Sequence, residues 1–188
     1  FIERSSVESL SAFQEESPPI SALETCMLDL SQPIGKRTTA AFYLRTIGTI
    51  EAAEVIAEAL RLPDSALMRH ELAYILGQMQ HKELCSTLST ILEDETDDVL
   101  VRHEAAEALG AIGDVSSLEV LGKYCDHSAP EIKETCRIAI DLIEWKQSEE
   151  QSLVEKSAYF LSDEPAPALI AIDDLQEIEN KMMTDTDR

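Results

Sequence analysis

The chain has 188 residues, enough for one domain with a real core. Its 37 Asp and Glu against 15 Lys and Arg leave a net charge of −22. That balance argues against nucleic acid, whose binding rests on Lys and Arg neutralising phosphates, and against an anionic membrane surface; a basic partner or substrate fits better.

Aromatic residues make up 5% of the chain, and Ala, Leu, Ile and Glu dominate, a mixture suited to helices packed through aliphatic ridges. Residues 1–19 read as a flexible N-terminal segment. Glu3, Glu8, Glu15 and Glu16 give it the wrong charge for a signal peptide, and Phe in place of Met at position 1 suggests a start further upstream or a fragment. Ser21, with Glu24 three places on, caps a helix of about Ala22 to Leu30 that leads the rest. Helices are then expected over Arg37 to Gly48, Ala52 to Leu62 and, after an Asp64-Ser65 cap, Ala66 to Met79. Further ones follow at Lys82 to Leu92, Arg102 to Gly113 and Val115 to Tyr124. Ser128 with Glu131 forms a capping box before Glu131 to Trp145. Gly48, Gly77, Gly110 and Gly113 fall near helix ends, where left-handed caps favour glycine. The helical domain spans 20–147. Residues 148–188, with Pro165, Pro167 and many acids, read as a mostly disordered acidic linker or tail with one short helix around Asp173 to Met182. No segment alternates with strand length, and none has the run of roughly 18 or more apolar residues that crosses a membrane.

Four of these segments align. RTTAAFYLRTIG, RHELAYILGQMQ, RHEAAEALGAIG and KETCRIAIDLIE begin at Arg37, Arg69, Arg102 and Lys133, stepping by 32, 33 and 31 residues. Each opens on a basic residue. Ala40, Leu72, Ala105 or Cys136 follows three places later, and Ala41, Ala73 and Ala106 come next in the first three. A period near 30 with paired helices means an all-α solenoid of about four HEAT-like helical hairpins, of the type shared with phycobilisome lyases, each burying its apolar face on its neighbours.

Two of the four histidines fall in the same repeat slot. His70-Glu71 and His103-Glu104 match, whereas the first and fourth repeats carry Thr38-Thr39 and Glu134-Thr135 there. Equivalent positions on successive helices face one way, with axes about 8–10 Å apart, so two imidazoles can converge on one ion. Each Glu points roughly 100° further round its helix, beside that ion. Imidazole with carboxylate suits iron(II), manganese or zinc. Tyr74 and Glu107 stand where a metalloprotease helix would need its second histidine. A duplicated surface pair is the competing reading. His81 and His127 read as solvated loop residues. Cys26 and Cys136 read as buried free thiols of a reducing compartment, since Cys26, Cys85, Cys125 and Cys136 form no Cys-x-x-Cys pair. Glu93 to Asp98 reads as a solvated acidic loop that caps the next helix.

Ser65 to Gln80 and Val101 to Asp114, with Glu134-Thr135-Cys136 and Glu144-Trp145, resemble the deoxyhypusine hydroxylase family over about Leu28 to Gln147. The resemblance implies two halves, each of four HEAT-like hairpins, with two His-Glu pairs from each half building a di-iron centre between them. Such a centre activates O2 and hydroxylates deoxyhypusine on eukaryotic translation initiation factor 5A, in the cytoplasm. It implies that this chain is the amino-terminal half, holding two of four His-Glu motifs and inactive alone, with the Fe2+ site completed by the second half or a second copy. His70 and His103 would ligate one iron and Glu71 the other. Glu104 would match a carboxylate needed for the site or for the cationic substrate. A non-enzymatic acidic scaffold that binds a basic protein, or a bilin-binding lyase, are the alternatives.

Overall fold

A computed structural model describes residues 18–148. The expected flexible segment and acidic tail, with the helix around Asp173, lie outside the described residues save Pro18, Pro19 and Ser148. Eight α-helices follow in order: α1 (Ile20–Leu28), α2 (Ile34–Ile47), α3 (Ile50–Leu60), α4 (Ala66–Met79), α5 (Cys85–Glu93), α6 (Val99–Ile112), α7 (Leu118–Tyr124) and α8 (Pro130–Gln147). Short 3-10 turns at Lys82–Leu84 and Val115–Ser117 lead into α5 and α7. No strand occurs among the described residues.

The even-numbered helices pack side by side as one layer, and each odd-numbered helix backs onto the even one that follows it. This is an all-α solenoid of HEAT-like hairpins. The alanines and aliphatics at matching repeat positions supply its core. Ala40, Leu72, Ala105 and Cys136 are buried, as are Ala41, Ala73 and Ala106, and Leu44, Leu76 and Leu109 one turn further on. Burying a leucine side chain fully is worth about 1.5–3 kcal/mol.

The basic residue opening each repeat acts as a clip. Arg37 Nε donates to the Met27 carbonyl at 3.1 Å, Arg69 Nε to that of Leu60 at 2.9 Å and Arg102 Nε to that of Leu92 at 3.0 Å. Each carbonyl lies at or near the end of the preceding odd helix, where no intrahelical partner remains. The same guanidinium then reaches the loop ahead of the next even helix. Arg37 pairs with Asp64 at 2.5 Å, and Arg69 grips both Asp97 oxygens at 2.5 and 2.6 Å. In the third repeat Ser128 holds that position, and Arg102 lies 5.5 Å over the Tyr124 ring instead.

Several local expectations are corrected. Ser65 does cap α4, accepting from Met68 N, and Asp98 caps α6, accepting from Leu100 N. However, α1 starts at Ile20 behind Pro19, ahead of the expected Ser21 cap. The start of α8 is set by Pro130 at its first turn and not by Ser128, with His127 Nδ1 accepting from Ala129 N. His127 is thus a turn-building residue rather than merely solvated. So is His81, whose Nε2 lies 2.9 Å from the Gly48 carbonyl oxygen. Cys136 and Cys85 are buried and Cys26 is half-buried; burial pushes the Cys136 thiol up to about 12.

Gly48 and Gly113 take left-handed φ of 70° and 76° at helix ends, as expected. Gly77 and Gly110 do not: they lie inside α4 and α6, and Gln80 supplies the left-handed cap of α4. Their role is close approach. A Cβ on Gly77 would come 2.9 Å from Ala108 Cα, and one on Gly110 would come 2.8 Å from Ala139 Cα and Cβ. Both are backbone-level contacts that cannot swing aside. Gly110→Ala is expected to destabilise the chain by about 1–3 kcal/mol through overpacking, although alanine favours helix over glycine by about 1 kcal/mol. Urea unfolding measures it; a stabilised variant would show that α6 and α8 separate freely.

Candidate metal centre

His70 sits on α4 and His103-Glu104 on α6, and the glycine-mediated approach of these helices brings them together. The His70 and His103 ring centroids are 5.6 Å apart. His70 Nε2 lies 2.9 Å from Glu104 Oε2, with side-chain exposures of 26% and 5%. One donor atom from each of His70, His103 and Glu104 lies within 4.8 Å of the others. His70 Nδ1 is buried and has no hydrogen-bond partner among the described residues. Two imidazoles and a carboxylate, with one ring nitrogen uncommitted, form a donor set that fits a divalent metal ion.

Glu71 is not among the three residues so clustered. The register accounts for this. Glu104 reaches back to the preceding even helix, where it meets His70. Glu71 holds the same slot on α4, and on α2, the even helix before it, the histidine slot holds Thr38. That threonine donates to the Ile34 carbonyl and sits 3.9 Å from Met68 Sδ. The two His-Glu pairs look identical along the chain but have different neighbours.

Burial is the main cause holding the His103 ring below the ordinary histidine range, and His70 adds to it; Glu107 and Glu131 act in the opposite sense. A ring kept neutral offers a lone pair to a cation. Glu107 lies one turn beyond His103 on the same face of α6. In the sequence Glu107 stands out only as the residue in place of a second histidine, and its i+4 spacing from His103 is the one signal of its influence on that ring.

A family model described as HEAT repeats matches residues 53–141. The chain is therefore a HEAT-repeat protein with a His-His-Glu group on two successive repeats. Deoxyhypusine hydroxylase of Danio rerio is 44% identical over 126 residues, covering 67% of this chain and 41% of that protein. That of Neurospora crassa is 39% identical over 183 residues, covering 90% of this chain and 56% of that protein. The structure of human deoxyhypusine hydroxylase in complex with glycerol matches with a TM-score of 0.74 at 37% identity, covering 96% of this chain and 60% of that one. The chain is thus similar to deoxyhypusine hydroxylases over most of its own length and spans about half the length of the curated relatives it matches.

The depressed His103 value sets a pH dependence. In the metal-free chain, unfolding frees a ring that takes up protons more readily than the folded one. The unfolded state therefore binds more protons below about pH 6.5, and stability rises with pH through that window. Stability is full above the ordinary histidine value and falls as pH drops below it. Urea midpoints at pH 7.5 and 5.5 should differ more for the wild type than for His103→Gln. Equal differences would mean that His103 contributes nothing to the slope.

Proposed function

We propose that this chain supplies part of the iron centre of a deoxyhypusine hydroxylase, which acts on the deoxyhypusine side chain of eukaryotic translation initiation factor 5A. The observation that carries the reading is the His70, His103 and Glu104 group on successive repeats, in a chain whose relatives bear that enzyme's name. His70 and His103 would hold one Fe2+ with Glu104 beside them. Glu71 would serve a second iron. A facing HEAT-repeat half, or a second copy of the chain, would contribute the other His-Glu pairs, which makes this chain inactive alone. When bound, iron(II) with open coordination positions supplies dioxygen activation.

The chain's own residues do the rest. Burial keeps His103 neutral and ready to ligate. Glu104, 5% exposed, holds His70 in place through a 2.9 Å contact and brings negative charge toward the ion. The charge of −22 draws a cationic side chain on a basic protein surface toward the site. Free thiols among the described residues fit the reducing cytoplasm, which we take as its compartment. Among the described residues, no helix is long and apolar enough to cross a membrane.

The test is anaerobic iron(II) titration of the chain with bound iron counted. The wild type should retain iron, and the paired change His70→Ala with His103→Ala should weaken retention by at least about tenfold. Glu71→Gln should leave the first equivalent of iron in place. Equal retention by the wild type and the paired variant would remove the basis for the reading.

A further inference from the structure

The contact between α6 and α8 repeats that between α4 and α6 one unit further along, but Glu134-Thr135 on α8 replaces the His103-Glu104 pair of α6. Thr135 on α8 holds the slot that Glu104 holds on α6. The shorter side chain leaves a groove of about 310 Å³ between the two helices on the His103 face of α6. Thr135, Ile138, Ala139 and Leu142 line its α8 side at helical spacing, and Glu107 lines it from α6. Ile138 is 67% exposed, so much of this apolar wall stands in water. Glu107 and, from the first turn of α8, Glu131 both act electrostatically on His103, which places these carboxylates near the ring at the start of the groove.

We propose that this groove is the subsite for the aminoalkyl tail of the substrate, with its methylenes on Ile138, Ala139 and Leu142 and its ammonium on Glu107. An apolar wall alone would accept any hydrophobic group, and a carboxylate alone any cation. Their conjunction selects an aliphatic ammonium, whose stem is apolar and whose head is charged. A hard metal cation is disfavoured, because it requires several oxygen ligands and this wall is hydrocarbon. The scale also fits: Glu107 stands one turn, about 5–6 Å, from His103, a span that a few methylenes cover. The tail would thus lie along α6 with its carbon chain beside the His70, His103 and Glu104 group. The identity of the ligand rests on the hydroxylase reading; the groove and its preference for an alkyl ammonium do not.

Spermidine is a suitable probe, titrated into the metal-free, 15N-labelled chain. Amide shifts should concentrate on α6 near Glu107 and on α8 from Thr135 to Leu142. Glu107→Gln should weaken binding about fivefold, and Ile138→Ser should also weaken it, although Ile138 is exposed and its loss does not threaten the fold. Glu58→Gln, an exposed acid on α3, should change binding by less than about twofold. Shifts spread over the whole acidic surface, or equal losses for Glu58→Gln and Glu107→Gln, would reduce the binding to diffuse attraction and overturn the proposal. Wild-type iron loading separates the two readings. Spermidine held at Glu107 with no iron retained leaves the groove standing without the hydroxylase. Iron retained with spermidine indifferent to Glu107 removes the groove alone.

Discussion

Backbone contact between α4 and α6 at Gly77 and Ala108 fixes the level at which the two helices meet, and the placing of His70 against Glu104 follows from it. His70 lies two turns before Gly77, and Glu104 one turn before Ala108. The helices run in the same direction with the same rise, so one point of contact fixes the heights of the residues a turn or two away. A Cβ on Gly77 would stand 2.9 Å from Ala108 Cα and force the axes apart. The 2.9 Å approach of His70 to Glu104 has little tolerance for such a shift. Each glycine costs the isolated helix about 1 kcal/mol relative to alanine, a cost offset by the burial it permits. The first repeat shows the contrast. Arg45 occupies the position of Gly77 there, α2 packs on α4 more sparsely, and Arg45 bridges to Gln78 at 2.8 Å.

The arginine clips secure the same arrangement from the other end of the helices. Each ties the C-terminus of an odd helix to the first turn of an even one, and two of the three also hold an aspartate in the following loop. A guanidinium as buried as Arg37, at 3% exposure, is tolerable because it gains both a carbonyl and a carboxylate. Removing Asp64 or Asp97 would leave that charge buried and uncompensated, which is costlier than losing a surface pair. Arg102 has no such aspartate and rests its charge against the Tyr124 ring, a weaker substitute. The clip nearest α8 is therefore the least secured of the three.

Much of this was legible in the chain because repetition turns single residues into patterns. The near-constant step between Arg37, Arg69 and Arg102 reveals the helices, the shared face and the placing of His70 beside His103. What repetition hides is the difference between neighbours. His70-Glu71 and His103-Glu104 are the same dipeptide, yet Glu104 meets a histidine on the preceding even helix, whereas the even helix before Glu71 carries Thr38 in the histidine slot. The partner of each lies a full repeat away, so no local window separates them. Gly77 and Gly110 are ambiguous for a related reason: their close contacts are to Ala108 and Ala139 on other helices, and along the chain they resemble end caps. Likewise, the α8 start is fixed by the ring of Pro130 and by His127, which outweigh the expected Ser128 box.

A solenoid differentiates its function by changing one slot at a time. Between α4 and α6 the slot facing a histidine holds a carboxylate, and the result is a donor set for a metal. Between α6 and α8 it holds Thr135, and the result is a groove with an apolar wall. The donor count matters as well. His70, His103 and Glu104 offer three ligand atoms, whereas divalent metals of this class take four to six. Were such an ion bound, its remaining positions would be filled from outside the trio. Three donors that leave coordination positions open, bordered by the groove along α8, are what the proposed facing half or second copy would complete.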